Sequence, residues 1–147
     1  MKIAIGSDHV GYQYKDEIIN HLNKNGYQCQ DFGAFNEDRT AYPIYAKVVC
    51  TAVIAGGFDR GILICGTGVG MSIAANKFQG IRAVVCSEPY SAMLSMQHND
   101  TNILSFGARG IGIELAKMII DAWLSTKFEG GRHQERVDMI TDFESNQ

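Results

Sequence analysis

The sequence predicts an α/β fold, a three-layer α/β/α sandwich built on a five-stranded parallel sheet. Two observations carry this. Short apolar runs rich in β-branched residues alternate five times with helix-length stretches, the pattern of successive βαβ units. The run Gly61–Ile64 is uninterrupted by any polar residue, as a strand covered on both faces must be.

The elements follow in order along the chain. A first strand spans Lys2–Ile5, and a helix over Tyr12–Lys24 is ended by Gly26, which suits the position just past a C-cap. The second strand, Gln28–Phe32, leads through a charged loop over 33–42 into a helix over Pro43–Ala55. Pro43 sits in the first turn, where a missing N–H costs nothing. The third strand, Gly61–Ile64, runs into a glycine-rich turn and a helix over Val69–Lys77. The fourth, Ala83–Val85, precedes a helix over Pro89–Gln97 that also opens on a proline. The fifth, Ile103–Phe106, precedes a helix over Ile111–Leu124. After a second charged loop, 125–134, a last helix covers Glu135–Phe143. With no repeat or linker, residues 1–147 read as a single Rossmann-like domain.

Composition narrows the function. The chain has 147 residues, 46% hydrophobic and 20% charged, with a formal net charge of −3. That balance gives a soluble globular protein and argues against an electrostatic nucleic-acid surface. No apolar run reaches transmembrane length. The start, Met1 to Asp8, meets an acid too early for a signal peptide. The four cysteines, at 29, 50, 65 and 86, form no CxxC pair for zinc or redox work, so reduced thiols in a cytoplasmic protein are expected.

In an open parallel sheet, ligands bind beyond the C-terminal strand ends. Two loops qualify, Gly6-Ser7-Asp8-His9 after the first strand and Cys65–Gly70 after the third. Glycines at 66, 68 and 70 expose backbone N–H groups that cradle oxyanions, with Thr67 and Val69 between them. The loop lacks the Gly-Lys-Ser/Thr of a Walker A motif and the GxGxxG spacing of dinucleotide sites, so no nucleotide cofactor is expected.

A thiol beside such amides can lose its proton below the free value of about 8.5, which makes Cys65 the candidate base or nucleophile. Cys29, Cys50 and Cys86 read as core packing. Asp8 suits either a helix cap or a ligand contact, and His9 can donate to a sugar hydroxyl or a phosphate.

The stretch Gln97-His98-Asn99-Asp100-Thr101-Asn102 holds more hydrogen-bonding side chains than a turn needs, and His98 is a candidate general acid. It precedes the fifth strand, whereas Cys65 follows the third. A strand of this length spans roughly 16 Å, so the two lie too far apart in one subunit to share a reacting bond. If both act on one substrate, His98 comes from a neighbouring subunit and the sites lie at a symmetric interface. Arg109 is a further cation. Arg132 and Arg136, four residues apart beside Gly130-Gly131, read as a phosphate clamp or a solvated basic face. His21 and His133 read as surface residues.

Taken together, Ile5–His9, Ile64–Gly70, Gly80–Ala83, Ser91, His98-Asn99-Asp100, Gly107-Ala108-Arg109 and Gly131–Arg136 resemble the type B ribose-5-phosphate isomerases and the related galactose-6-phosphate isomerase subunits. The resemblance spans nearly the whole chain. It implies interconversion of an aldose phosphate with its ketose phosphate, with no metal and no cofactor. It makes Cys65 the base, Thr67 and the amides of Gly66 to Gly70 the anion hole, and His98 the ring-opening group.

By the same resemblance, Asp8, His9 and Asn99 position hydroxyls. Arg109, Arg132 and Arg136 hold the phosphate, helped by His9. It further implies a homodimer or dimer of dimers with shared sites. Some members of the family lack the cysteine and carry a glutamate where this chain has Met71.

The expected substrate is ribose 5-phosphate. The alternatives are a six-carbon sugar phosphate, such as allose 6-phosphate or galactose 6-phosphate, and a non-catalytic sugar-phosphate sensor or small redox module on the same fold.

Overall fold

The structure, a computed structural model, describes residues 1–145. Five parallel strands form one sheet: β1 (Lys2–Ser7), β2 (Gln28–Asp31), β3 (Arg60–Cys65), β4 (Ala83–Val85) and β5 (Ile103–Gly107), in the order β2-β1-β3-β5-β4. Six helices surround it: α1 (Tyr12–Lys24), α2 (Tyr42–Ile54), α3 (Val69–Ala75), α4 (Pro89–Asn99), α5 (Ile113–Ser125) and α6 (Arg132–Ser145).

Strand periodicity divides the core into two layers, because successive side chains leave opposite faces. Ile3, Ile5, Ile62, Ile64, Leu104 and Phe106 pack on one face with Ile18 and Leu22 of α1, Ala92 and Met96 of α4, and Ile119 and Trp123 of α5. Ala4, Leu63, Cys65 and Ile103 pack on the other with Ala46, Val49 and Cys50 of α2 and Met71 and Ala75 of α3. Cys65 therefore belongs to a packed layer as well as to the strand end.

The boundaries follow local chemistry. Gly26, at φ +85°, lies just past Asn25, the C-cap of α1. Pro43 and Pro89 stand in the first turns of α2 and α4, and the Glu88 carboxylate caps α4 by accepting from the Ser91 N–H at 3.0 Å. Hydrogen bonds from the Ser91 side chain and N–H, made to the charged form, hold the Glu88 carboxyl below its usual range. The last helix starts three residues before the expected Glu135. Gly130 and Gly131, at φ +66° and +57°, turn the chain straight into it, so Arg132 is already helical.

From β1 the chain first winds outward to β2, then crosses to β3 on the other side of β1. The crevice between the C-terminal ends of β1 and β3 is the switch point where such sheets bind ligands.

Candidate active site

A cavity of about 660 Å³ opens at this switch point. Its walls include Asp8, His9, Cys65, Gly66, Thr67, Val69, Gly70 and Arg109, all drawn from the two expected loops and the turn after β5. Val10, Arg39 and Tyr42 complete it.

The thiol loop is held from below by the neighbouring strand. Ser105 Oγ donates to the Gly68 carbonyl at 2.7 Å, while the N–H groups of Ala108 and Arg109 donate to the carbonyls of Cys65 and Gly66 at 2.9 and 3.1 Å. Gly68, at φ +79°, passes so close to β5 that a Cβ there would stand 2.7 Å from the Phe106 backbone. Only glycine fits. This tight turn aims the Gly68 N–H at Cys65 Sγ, 3.2 Å away.

The other three thiols are in different surroundings. Burial pushes Cys29 up to about 11 and Cys50 up to about 12. Cys86 is pushed up to about 11 by burial and by the Glu88 carboxylate beside it. None carries appreciable thiolate at neutral pH, and none lines the switch-point cavity.

Asp8 caps the approach to α1, its Oδ1 accepting from the N–H groups of Val10 and Gly11 at 2.9 and 3.2 Å, and it also lines the cavity. Both readings of this residue are compatible with its position. His9 Nδ1 accepts from the Thr40 N–H at 3.3 Å. In neutral imidazole this leaves the proton on Nε2, as a donor. Thr67 Oγ1 accepts from the Val69 N–H at 3.3 Å.

Arg39 and Tyr42 were not singled out by the sequence reading. Their loop could be recognised as charged and surface-lying, but its course depends on distant contacts. Lys15 of α1 donates to the Ala34 carbonyl and pairs with Asp31 at 2.7 Å, and Ser7 N–H donates to the Gly33 carbonyl at 2.6 Å. These bonds draw the segment across the end of β1. With Arg39 and Arg109 on its walls, the cavity suits an anionic ligand.

His98, Asn99, Arg132 and Arg136 are absent from this cavity. His98 and Asn99 end α4, on the edge of the sheet where β5 begins, whereas Cys65 pairs with Gly107 where β5 ends. Arg132 and Arg136 lie in the first turns of α6, where Arg136 donates to the Arg132 carbonyl at 2.8 Å. His133, between them, departs from the surface position read for it. It is buried and stacks on His98, with ring centroids 4.2 Å apart. Burial, His98 and the two arginines hold its imidazole below the usual range, against an opposing pull from Glu129. The expected site residues thus fall into two groups at opposite edges of one sheet.

Residues 3–140 match the model of the family described as Ribose/Galactose Isomerase. This chain belongs to that family.

Ribose-5-phosphate isomerase B of Escherichia coli (strain K12) is a family relative, 64% identical over 143 residues covering 97% of this chain and 96% of the relative. D-erythrulose-4-phosphate isomerase of Pectobacterium atrosepticum is 41% identical over 145 residues, 98% of this chain and 95% of that one. Among solved structures of the family, ribose-5-phosphate isomerase B of Clostridium thermocellum superposes with a TM-score of 0.98 at 51% identity, covering 99% of both chains.

Proposed function

We propose that this chain is an aldose-ketose isomerase that interconverts ribose 5-phosphate and ribulose 5-phosphate through an enediolate. The observation that carries the reading is Cys65, with its sulfur hydrogen-bonded to the Gly68 amide, on the wall of a cavity that also holds Arg39 and Arg109. The family membership and the 64% identity to an isomerase of that name support it.

In this mechanism the Cys65 thiolate removes the C2 proton of the open aldose, leaving a C1–C2 enediolate with its negative charge on O1. The Cys65 thiol then returns that proton to C1 while a proton passes from O2 to O1, giving the ketose and regenerating the thiolate. Negative charge on the sugar oxygens is met by Thr67 and the amides of Gly66 and Gly70, while the Gly68 and Val69 amides hold Cys65 Sγ and Thr67 Oγ1 in place. Asp8, His9 and Asn99 position hydroxyls. Arg109, Arg132 and Arg136 hold the phosphate, with His9 assisting, and His98 opens the cyclic aldose by proton transfer.

Because base, acid and anion donors all come from the chain, turnover of ribose 5-phosphate is expected to persist in the presence of a chelator. A direct assay checks this. Binding without turnover would identify a sensor, and turnover confined to allose 6-phosphate or galactose 6-phosphate would move the substrate to six carbons. The relative named for a four-carbon sugar phosphate shows that chain length varies between proteins this similar, so the comparison among sugars is part of the assay.

The division of the residues supports a homodimer, or a dimer of dimers, in which His98, Asn99, Arg132 and Arg136 of one subunit complete the cavity of another. Exposed Tyr42 of α2 and Val69 of α3 line the cavity, and Ile44, Val48 and Ile73 are exposed apolar side chains on the same two helices. Such a cluster suits a self-complementary two-fold contact.

Complementation tests this arrangement. Cys65→Ala and His98→Ala subunits, each poorly active on ribose 5-phosphate, are unfolded and refolded together. The mixed dimer holds one site with both groups intact, so activity should return to about a quarter of wild type, from statistical pairing of the subunits. A mixture no more active than its two components would place both residues in one subunit's site.

Among the described residues no helix is long and apolar enough to cross a membrane. We place the enzyme in the cytoplasm, acting on a small sugar phosphate.

A further inference from the structure

We propose that His133 is a positioning residue for His98: its ring, stacked face to face on the His98 imidazole, fixes the plane in which His98 meets the cyclic sugar. The inference rests on the reading of His98 as the ring-opening group and adds a residue to which no role in that step has been given.

His98 needs such support. It occupies the last turn of α4, is only part-buried, and among the described residues no hydrogen bond holds its side chain. The imidazole torsion about Cβ–Cγ is soft, so the ring plane must be set from outside. The His133 ring sets it, with centroids 4.2 Å apart and planes within 7° of parallel.

The backbone of His133 is itself anchored. Its N–H donates to the Gly130 carbonyl at 3.1 Å, while its buried Nε2 lies 3.3 Å from the Glu129 carboxylate without a hydrogen bond. Glu129 returns to α4 twice. Its N–H donates to the Gln97 carbonyl at 3.0 Å, and its carboxylate accepts from the Gln97 side-chain amide. Gln97 precedes His98, so these two bonds hold the segment leading into His133 against the end of α4 that carries His98.

The donor atoms of His98, Glu129 and His133 lie within 4.8 Å of one another, close enough to suggest a shared cation. The stacking speaks against that use. An imidazole binds a metal in its own plane, and two parallel, offset planes have no common line for an ion to occupy. Packing alone would also be satisfied by an aliphatic residue, which makes the ring shape testable.

The experiment compares net turnover with a partial reaction that needs no ring step. Ribose 5-phosphate is largely cyclic and must be opened, and ring closure in the reverse direction passes through the same step. Ribulose 5-phosphate carries phosphate on the oxygen that would close a five-membered ring at C2, so it is open, and exchange of its C1 proton with solvent needs only enediolate formation and return. His133→Leu should lower kcat/KM about tenfold in both directions and leave the rate of C1 exchange in ribulose 5-phosphate within about twofold. His133→Phe, which keeps a flat ring, should restore kcat/KM to within about threefold of wild type.

His98→Ala in parallel should show the same selective loss of turnover, and larger. Equal losses of turnover and exchange for His133→Leu, no loss at all, or a His133→Phe enzyme as impaired as His133→Leu would overturn the positioning role. Equal losses of turnover and exchange for His98→Ala would instead overturn the ring-opening reading, and the proposal with it.

Discussion

Cys65→Ala is expected to lower turnover of ribose 5-phosphate by about 10³-fold or more, since a placed base contributes roughly 10²–10⁴ and no other thiol faces the cavity. Cys65→Ser should lose as much. Its hydroxyl fills nearly the same space and accepts the same Gly68 N–H, yet it is a far weaker acid than a thiol. The serine enzyme therefore separates loss of the base from loss of packing. Cys65 is 5% exposed and packs with Leu63 and Met71, so the alanine variant should lose about 1 kcal/mol of stability. Both variants should bind ribose 5-phosphate with affinity close to wild type by calorimetry. Either one retaining more than about a tenth of wild-type turnover would remove Cys65 from the role of base.

The largest effect on stability is expected at Asp31. Lys15 is fully buried, and its ammonium meets the Asp31 carboxylate at 2.7 Å, the Ala34 carbonyl, and the Phe35 ring at 5.1 Å. Removing one partner of such a pair strands the other, at a cost of about 3–5 kcal/mol for a fully enclosed pair. The Asp31 side chain is 29% exposed, so water reaches one end of the pair and Asp31→Ala should fall near the lower limit, about 3 kcal/mol.

Part of that loss is the Gly33 N–H bond to Asp31 Oδ1, at 2.8 Å. Asp31→Asn keeps an acceptor for that N–H and removes the charge, so it should cost less. Lys15→Met leaves no buried cation and should also cost less than Asp31→Ala. Urea midpoints at constant slope check the order. An Asp31→Ala protein as stable as wild type would show that Lys15 is satisfied without its partner. The same variant should weaken substrate binding, because this pair ties down the segment from which Arg39 and Tyr42 reach the cavity.

Local information carried most of the fold. Doubly buried strands such as β3 and proline-opened helices such as α2 and α4 are written in contiguous residues. So is the thiol loop, whose glycines signal a tight turn whatever surrounds it. Information failed where a residue's position is decided by remote partners. Arg39 sits on, and Tyr42 of α2 directly follows, a loop whose path is set by Lys15, more than twenty residues away in sequence. His133 reads as a surface residue because residues 129–136 carry no apolar side chain, and it is buried with Val137 one turn on and by a ring thirty-five positions earlier. The separation of His98 from Cys65 was legible, since it follows from strand direction alone.

Cys65 and Met71 occupy one packed layer, the layer shared by β3, α2 and α3. This constrains how the chain could change by descent. By the family resemblance, a glutamate at position 71 would put a carboxylate acceptor within that same layer in place of sulfur. One substitution at a time, a lineage passing between the two forms must go through an ancestor with two ionisable groups in one enclosed space, or through one with none.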